Sequence, residues 1–348
     1  MNNYHSNSLD QFWMWFVLIH IAGSALVAVC MASVPGYLML NTIPWVYCAY
    51  AHKEGKMALL WSAIGWSCTL FLLVHMPTAY GSSFIINLLL LTYLLYQHFG
   101  SFPFMITANH VGRCSIRDLG FILWMTCLLL VIGEYVNALS MLIFTNYVSD
   151  SVRNVGEHLW AAILVLALLP AIVEELIFRG VIFQRLGYGK KAILISALLF
   201  ALGHMNFNQM TYAFVMGFFF ALIYSIRKNL TITIGIHMLY NLYTILMSAY
   251  ADTGFVRFLS ELNLGGYHIF WDSQLRDTDG RIMLSACMIG AFISLLAILC
   301  IFLYMRYRMR RQEESAQISQ PEAALSWKPG IMFYVSCIIC VMVALPLG

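Results

Sequence analysis

Apolar residues run in long blocks along this chain, separated by short polar or charged connections. A helix needs an apolar run of about 20 residues to cross the hydrocarbon core of a bilayer. On that criterion the sequence predicts spans at roughly 12–34, 37–51, 57–76, 83–98, 119–146, 158–186, 191–207, 210–226, 230–250, 282–305 and 331–347. The second and the last are short, and read equally well as re-entrant or interfacial segments. The first lacks the basic leading region and the cleavage site of a signal peptide, so it is expected to be retained. The predicted fold class is all-α, a polytopic transmembrane helical bundle of about 8–11 spans.

The connections set an orientation, because Lys and Arg collect on the cytoplasmic side. With the N-terminus inside, the even-numbered connections are cytoplasmic. They hold Lys53 and Lys56, then Arg113 and Arg117, then Arg185, Lys190 and Lys191, then Arg227 and Lys228, then Arg306, Arg308, Arg310 and Arg311. The odd-numbered connections are poorer in basic residues. The longest, 251–281, balances Arg257, Arg276 and Arg281 against Asp252, Glu261, Asp272, Asp277 and Asp279. The expected organisation is therefore N-terminal transmembrane helices over 1–157, core helices over 158–250, an extracytoplasmic loop over 251–281, and C-terminal helices over 282–348. The charged, Pro-punctuated stretch 306–330 reads as a cytoplasmic linker.

Composition agrees with a membrane protein. Charged residues make up 10% of the 348-residue chain and hydrophobic residues 61%, with a mean hydropathy of +0.79. Soluble proteins carry roughly 25% charged residues. The net charge of +3 is too small to point to nucleic acid. Most of the nine cysteines, Cys337 and Cys340 among them, sit in apolar runs and serve as small hydrophobes. No internal repeat of the kind that marks many transporters is visible.

Ionisable residues inside spans are expensive, and so they are informative. The densest set is Glu174, Glu175 and Arg179 in the span 158–186. On a helix Glu175 and Arg179 share a face and can pair, whereas Glu174 is turned about 100° away. One carboxylate is then left for other work; a purely structural ion-pair network is the plain alternative. The next span carries Phe200 and His204, and the span 230–250 carries His237 and, one turn on, Asn241. Glu174 and His204 are equidistant from the turn at Gly189, so antiparallel helices place them level, on the order of 20 Å from the turn at about 1.5 Å per residue. The three clusters are expected to converge below the membrane surface.

EExxxR, FxxxH and HxxxN on successive helices, here Glu174-Glu175-Arg179, Phe200-His204 and His237-Asn241, resemble the signature of the CPBP family. That family comprises the type II CAAX prenyl endopeptidases and the Abi proteins linked to bacteriocin self-immunity. The resemblance covers about 158–250. It implies an intramembrane endopeptidase acting on a membrane-associated or lipid-modified protein or peptide. It also implies that Glu174 is the general base and that His204 holds the water. His237 and Asn241 would be donors to the oxyanion, with Glu175 and Arg179 bracing the site. Gly203 and Gly217 would permit close packing around a polar cavity.

Other readings stay open. Glu174, His204 and His237 would make a common catalytic zinc set; a metal-free site is favoured, since Asn241 beside His237 suits an oxyanion. A scaffold or immunity protein of the same fold, or a transporter using Glu134 as well, would also place ionisable groups in the membrane. A bacterial plasma membrane is the expected setting. The chain closes without an endoplasmic-reticulum retrieval signal, and the sequon at Asn229 falls on the predicted cytoplasmic side.

Overall fold

A computed structural model of the chain describes residues 9–18, 21, 111–145, 159–187, 189–250, 253–264, 267–268, 275–276, 279–315 and 329–344. The predicted spans 37–51, 57–76 and 83–98 lie outside the described residues. The elements are a helix over 9–18 (α1), Ile116–Ser140 (α2), an unbroken helical run over 159–186 (α3), Lys190–Leu202 (α4), Phe207–Arg227 (α5), Leu230–Ala249 (α6), Gly254–Glu261 (α7), Leu284–Ser315 (α8) and Ile331–Ala344 (α9). The only strands among the described residues are Asn263–Leu264 and Tyr267–His268, an antiparallel pair. The other elements among the described residues are all helical. The stretches Ile116–Ser140, Phe207–Arg227, Leu230–Met247 and Leu284–Arg311 are each long and apolar enough to cross a membrane.

Local chemistry sets the helix ends. Ser115 and Asp118 form a reciprocal capping box at the start of α2. Gly187 takes the left-handed conformation (φ 81°) that closes α3, and Gly189 opens α4. Asn206 caps α5, its Oδ1 accepting from the Gln209 N–H at 3.0 Å. Asn229 caps α6 in the same way, through Thr231 N–H at 3.0 Å. The sequon asparagine thus has a local structural job.

α3 is irregular for a visible reason. Pro170 has no N–H to give to the preceding turn, and the chain widens into π-helix over Ile163–Leu168 just before it. A second π stretch, Leu176–Phe183, carries Arg179. Such wide turns occur frequently at functional sites.

Two boundaries differ from expectation. α4 stops at Leu202 with Gly203 as its cap, so His204 lies just beyond the helix rather than inside a span reaching 207. Met205, next along, holds a φ of 49°, an uncommon backbone for a non-glycine residue. α8 continues past 305 through Arg306–Ser315, so the first part of the expected linker is helical; long basic side chains there do not break a helix and favour its continuation into water. α9, at 14 residues, is shorter than a full span.

The two ends of the bundle are chemically distinct. At one end the Gly112 N–H donates to Asn229 Oδ1 at 3.3 Å, Thr231 Oγ1 donates to the Gly112 carbonyl, Arg227 pairs with Asp118, and Arg227 Nη1 donates to Tyr304 Oη. Among the described residues, the basic connections near Arg113 and Arg117, near Arg227 and Lys228, and near Arg306 meet at this end. At the other end Arg276 Nη2 donates to the Leu142 carbonyl, and Tyr135 Oη to that of Cys287.

Packing behind the motif residues is aromatic. Trp13 and Phe16 of α1 stack at 5.0 Å, Phe16 meets Phe178 edge-on at 5.6 Å, and Phe178 meets Phe200 at 5.0 Å. A Cβ at Gly203 would stand 3.1 Å from the Phe16 ring, so the missing side chain there lets α1 approach. Cys340 is buried in the same apolar cluster with Cys337 against it, in the hydrophobe role expected of them.

Candidate active site

One residue step along α3 separates the two carboxylates, and they meet different fates. Glu175 is fully buried, and its Oε1 accepts a hydrogen bond of 2.9 Å from Arg179 Nη1. Arg179 is itself fully buried. Its Nη2 donates to the Gly217 carbonyl at 2.9 Å, and its guanidinium lies over the rings of Phe200 and Phe220 at 4.7 and 5.2 Å. A guanidinium taken out of water needs partners of this kind on each face. The i, i+4 pairing expected from the sequence is therefore present, and α5 contributes a third member to it.

Glu174 stays available. Its side chain is 20% exposed, and Oε2 has no hydrogen-bond partner among the described residues. Facing it at 3.9 Å is Nε2 of His237. The opposite ring nitrogen of His237, Nδ1, lies 3.3 Å from Glu175 Oε1. His237 is thus held between both carboxylates. A carboxylate can only accept, so Nδ1 carries the hydrogen towards Glu175 in the neutral ring, and Nε2 presents its lone pair towards Glu174.

His204 is placed differently. Its Nδ1–H donates to the Phe200 carbonyl at 2.8 Å, which fixes the tautomer and leaves Nε2 as the chemically open atom. Its ring rests against Phe200 at 5.0 Å. The same Phe200 ring lies 5.9 Å from His237. Phe200 therefore touches the guanidinium and separates the two imidazoles, which gives a physical meaning to the aromatic residue of FxxxH. The imidazole beside Glu174 is His237. Asn241, one turn further along α6, makes no hydrogen bond among the described residues and remains half-buried.

Two contributors lie outside the three motifs: Phe220, which was not singled out in the sequence, and Gly217, which was expected to allow close packing and also lends its carbonyl. Phe220 lies under Arg179 and 5.2 Å from the His237 ring. The Gly217 carbonyl takes the second guanidinium bond. A Cβ at Gly217 would stand 3.0 Å from Phe200 and 3.2 Å from Ala197, so α4 and α5 pack closely because this residue is glycine. A signal was present: Gly217 and Phe220, three apart, share one face of a helix. Among the described residues, no group of three or more His, Cys, Asp and Glu side chains gathers at metal-binding range, so Glu174, His204 and His237 do not form a ligand set as placed.

A helical integral membrane protein with a buried Glu–Arg–His constellation defines the class, and comparison with known proteins refines it. Residues 156–243 match the family described as type II CAAX prenyl endopeptidase Rce1-like. This bears out, for that segment, the resemblance read from its motifs. The chain is 32% identical over 113 residues to the membrane-embedded CAAX protease MroQ of Staphylococcus aureus (strain USA300), covering 30% of this chain and 45% of that protein. It is 34% identical over 89 residues to YdiL of Bacillus subtilis (strain 168), covering 24% of this chain and 36% of that protein. The chain thus spans less than half the length of the curated relatives it matches. No solved structure matches it.

Proposed function

We propose that this protein is an intramembrane endopeptidase of a bacterial plasma membrane. It hydrolyses a peptide bond of a membrane-associated or lipid-modified protein or peptide with a water activated by Glu174. The observation that carries this reading is the unequal fate of the adjacent carboxylates: Glu175 is tied to Arg179, while Glu174 faces His237 with an unpartnered oxygen. The 3.9 Å between Glu174 Oε2 and His237 Nε2 is too long for a hydrogen bond. It suits one water shared by both, since two bonds of about 2.8 Å meeting near a right angle span that gap.

The roles follow. A water donating to Glu174 and to His237 Nε2 turns a lone pair towards the scissile carbonyl. As its oxygen adds to the carbonyl carbon, its proton passes to Glu174. Asn241 offers an amide N–H to the oxyanion. Collapse breaks the C–N bond, and the proton held by Glu174 moves to the leaving amine, giving an amine and a carboxylic acid, which loses its remaining proton to solvent. Glu175 and Arg179 act by holding His237, and are positioning residues. His204, anchored through Nδ1, offers the Nε2 lone pair to a donor group of the substrate. No metal enters this reading.

The experiment is terminal peptide profiling of membranes from cells expressing the full chain or its Glu174→Gln variant at matched levels, with metal content measured on the purified proteins. New peptide termini should appear only with the intact Glu174. Metal should be substoichiometric and unchanged by His204→Ala. Termini independent of Glu174 would sink the base assignment, and stoichiometric zinc lost with His204→Ala would replace the water-only mechanism.

A further inference from the structure

We infer that a second polar site, built on Glu134 beside the candidate active site, takes a basic side chain, Lys or Arg, of the substrate; this specificity rests on the peptidase reading, although the binding itself does not. Glu134 lies within α2, deep in a membrane-spanning helix, where an ionisable group is functional by default. The sequence leaves open that it pairs with a neighbour. Among the described residues it has neither a salt bridge nor a hydrogen bond, so that partner is not found there.

Its surroundings are amide and hydroxyl oxygens. Tyr240 of α6, three residues on from His237, stands against Gly133, the chain neighbour of Glu134, which links this cluster to the active site, and Tyr212 of α5 is within electrostatic reach of both Glu134 and Glu174. Tyr240 of α6 is in reach of Glu134, Tyr212 and Tyr243. Gly133 makes the approach possible, because a Cβ there would overlap the Tyr240 hydroxyl. One turn along α2 from Glu134, Asn137 Oδ1 accepts from Asn208 Nδ2 at 3.2 Å, and the same Nδ2 lies 3.2 Å from Ser140 Oγ. Those bonds fix the orientation of the Asn208 amide, and its Oδ1 is left buried without a hydrogen-bond partner among the described residues. A carboxylate, an unsatisfied amide oxygen and tyrosine hydroxyls, with no cationic side chain among these described residues, form the complement of an ammonium or guanidinium.

The two halves of this part of the core differ in polarity. Towards the basic end of the bundle the core is sealed by Phe121, Ile122, Met125, Phe219, Ile223 and Ile232. Polar residues occupy the other half, through Glu134, Asn137, Asn208, Thr211 and Tyr240. A side chain of a peptide bound at Glu174 would reach Glu134 through this polar half.

Binding and cleavage test this separately. The full chain carrying Glu174→Gln, in lipid nanodiscs, is titrated calorimetrically with acetyl-Leu-Lys-Leu-amide and with its norleucine counterpart. The lysine peptide should bind about tenfold more tightly or better, and the added, nearly isosteric Glu134→Gln should remove the difference. Equal binding of the two peptides with Glu134 intact overturns the inference, and this arm stands even if the Glu134→Gln protein fails to fold. In the terminal profiles of the Glu174-intact protein, Lys or Arg should recur at one fixed position from the cut. Preference for the lysine peptide without any cleavage would strike the peptidase reading and leave the cation site. Cleavage with no basic preference, and no preference in binding, would do the reverse.

Discussion

Two arginines in this bundle each answer to a carboxylate, and their settings differ in depth. Arg227 pairs with Asp118 at the basic end of the bundle; its partner is shared with the capping box, and its guanidinium lies over Phe121 at 4.8 Å. Both side chains keep some exposure, 13% and 18%. Arg179 and Glu175 have none. At the rim, water and ions can replace a lost partner, so the pair adds little. In the interior nothing replaces it, and a broken pair leaves an isolated charge. The interior pair is therefore committed to one geometry, and that geometry fixes where His237 points. A rim pair joins helices; the interior pair holds the candidate site in register.

The same substitution at the two depths sharpens the contrast. Arg179→Met strands Glu175 without its cation and should destabilise the protein by about 3–5 kcal/mol, seen as a large fall in melting temperature in detergent and in membrane accumulation. A loss no greater than that of the rim variant would mean that the interior pair does not hold the fold. Asn241→Ala comes next. It leaves both pairs intact and should reduce turnover about 10²- to 10³-fold at unchanged melting temperature; a change in stability without loss of turnover would make Asn241 structural. Arg227→Met should show the smallest effect, about 1 kcal/mol or less, with cleavage preserved. Abolished cleavage in that variant would mean that the rim and the site are coupled.

The reach of the sequence follows the same division. Glu175 and Arg179 are four apart on a helix, and helical geometry alone pairs them. The helical class and the shared end of the basic loops were legible because apolar run length and Lys/Arg placement are local properties. What escaped was non-local. The Gly217 carbonyl and Phe220 reach Arg179 only once α4 and α5 are packed, and a backbone oxygen leaves no mark in a motif. His204 was read as lying inside a span, yet apolar character continues past the point where the helix ends at Leu202; hydropathy does not register a cap. The proximity of His237 rather than His204 to Glu174 also depends on how far α6 tilts across α3, which spacing along one helix does not determine. Glu134 was legible as a carboxylate within a span, but its tyrosine neighbours come from two other helices, α5 and α6.

The central claim is that adjacent carboxylates divide the labour, Glu174 activating water and Glu175 holding the frame. Its most direct measurement is a paired one: cleavage and melting temperature of purified Glu174→Gln and Glu175→Gln, side by side with the unaltered chain. Glu174→Gln should lose cleavage by at least the 10²- to 10⁴-fold range of a lost general base, about 10³-fold as a central value, with its melting temperature unchanged. Glu175→Gln should lower both, because Arg179 keeps the Gly217 carbonyl but loses its counter-charge and His237 loses its anchor. Full cleavage by Glu174→Gln, or a stable and fully active Glu175→Gln, would contradict the account.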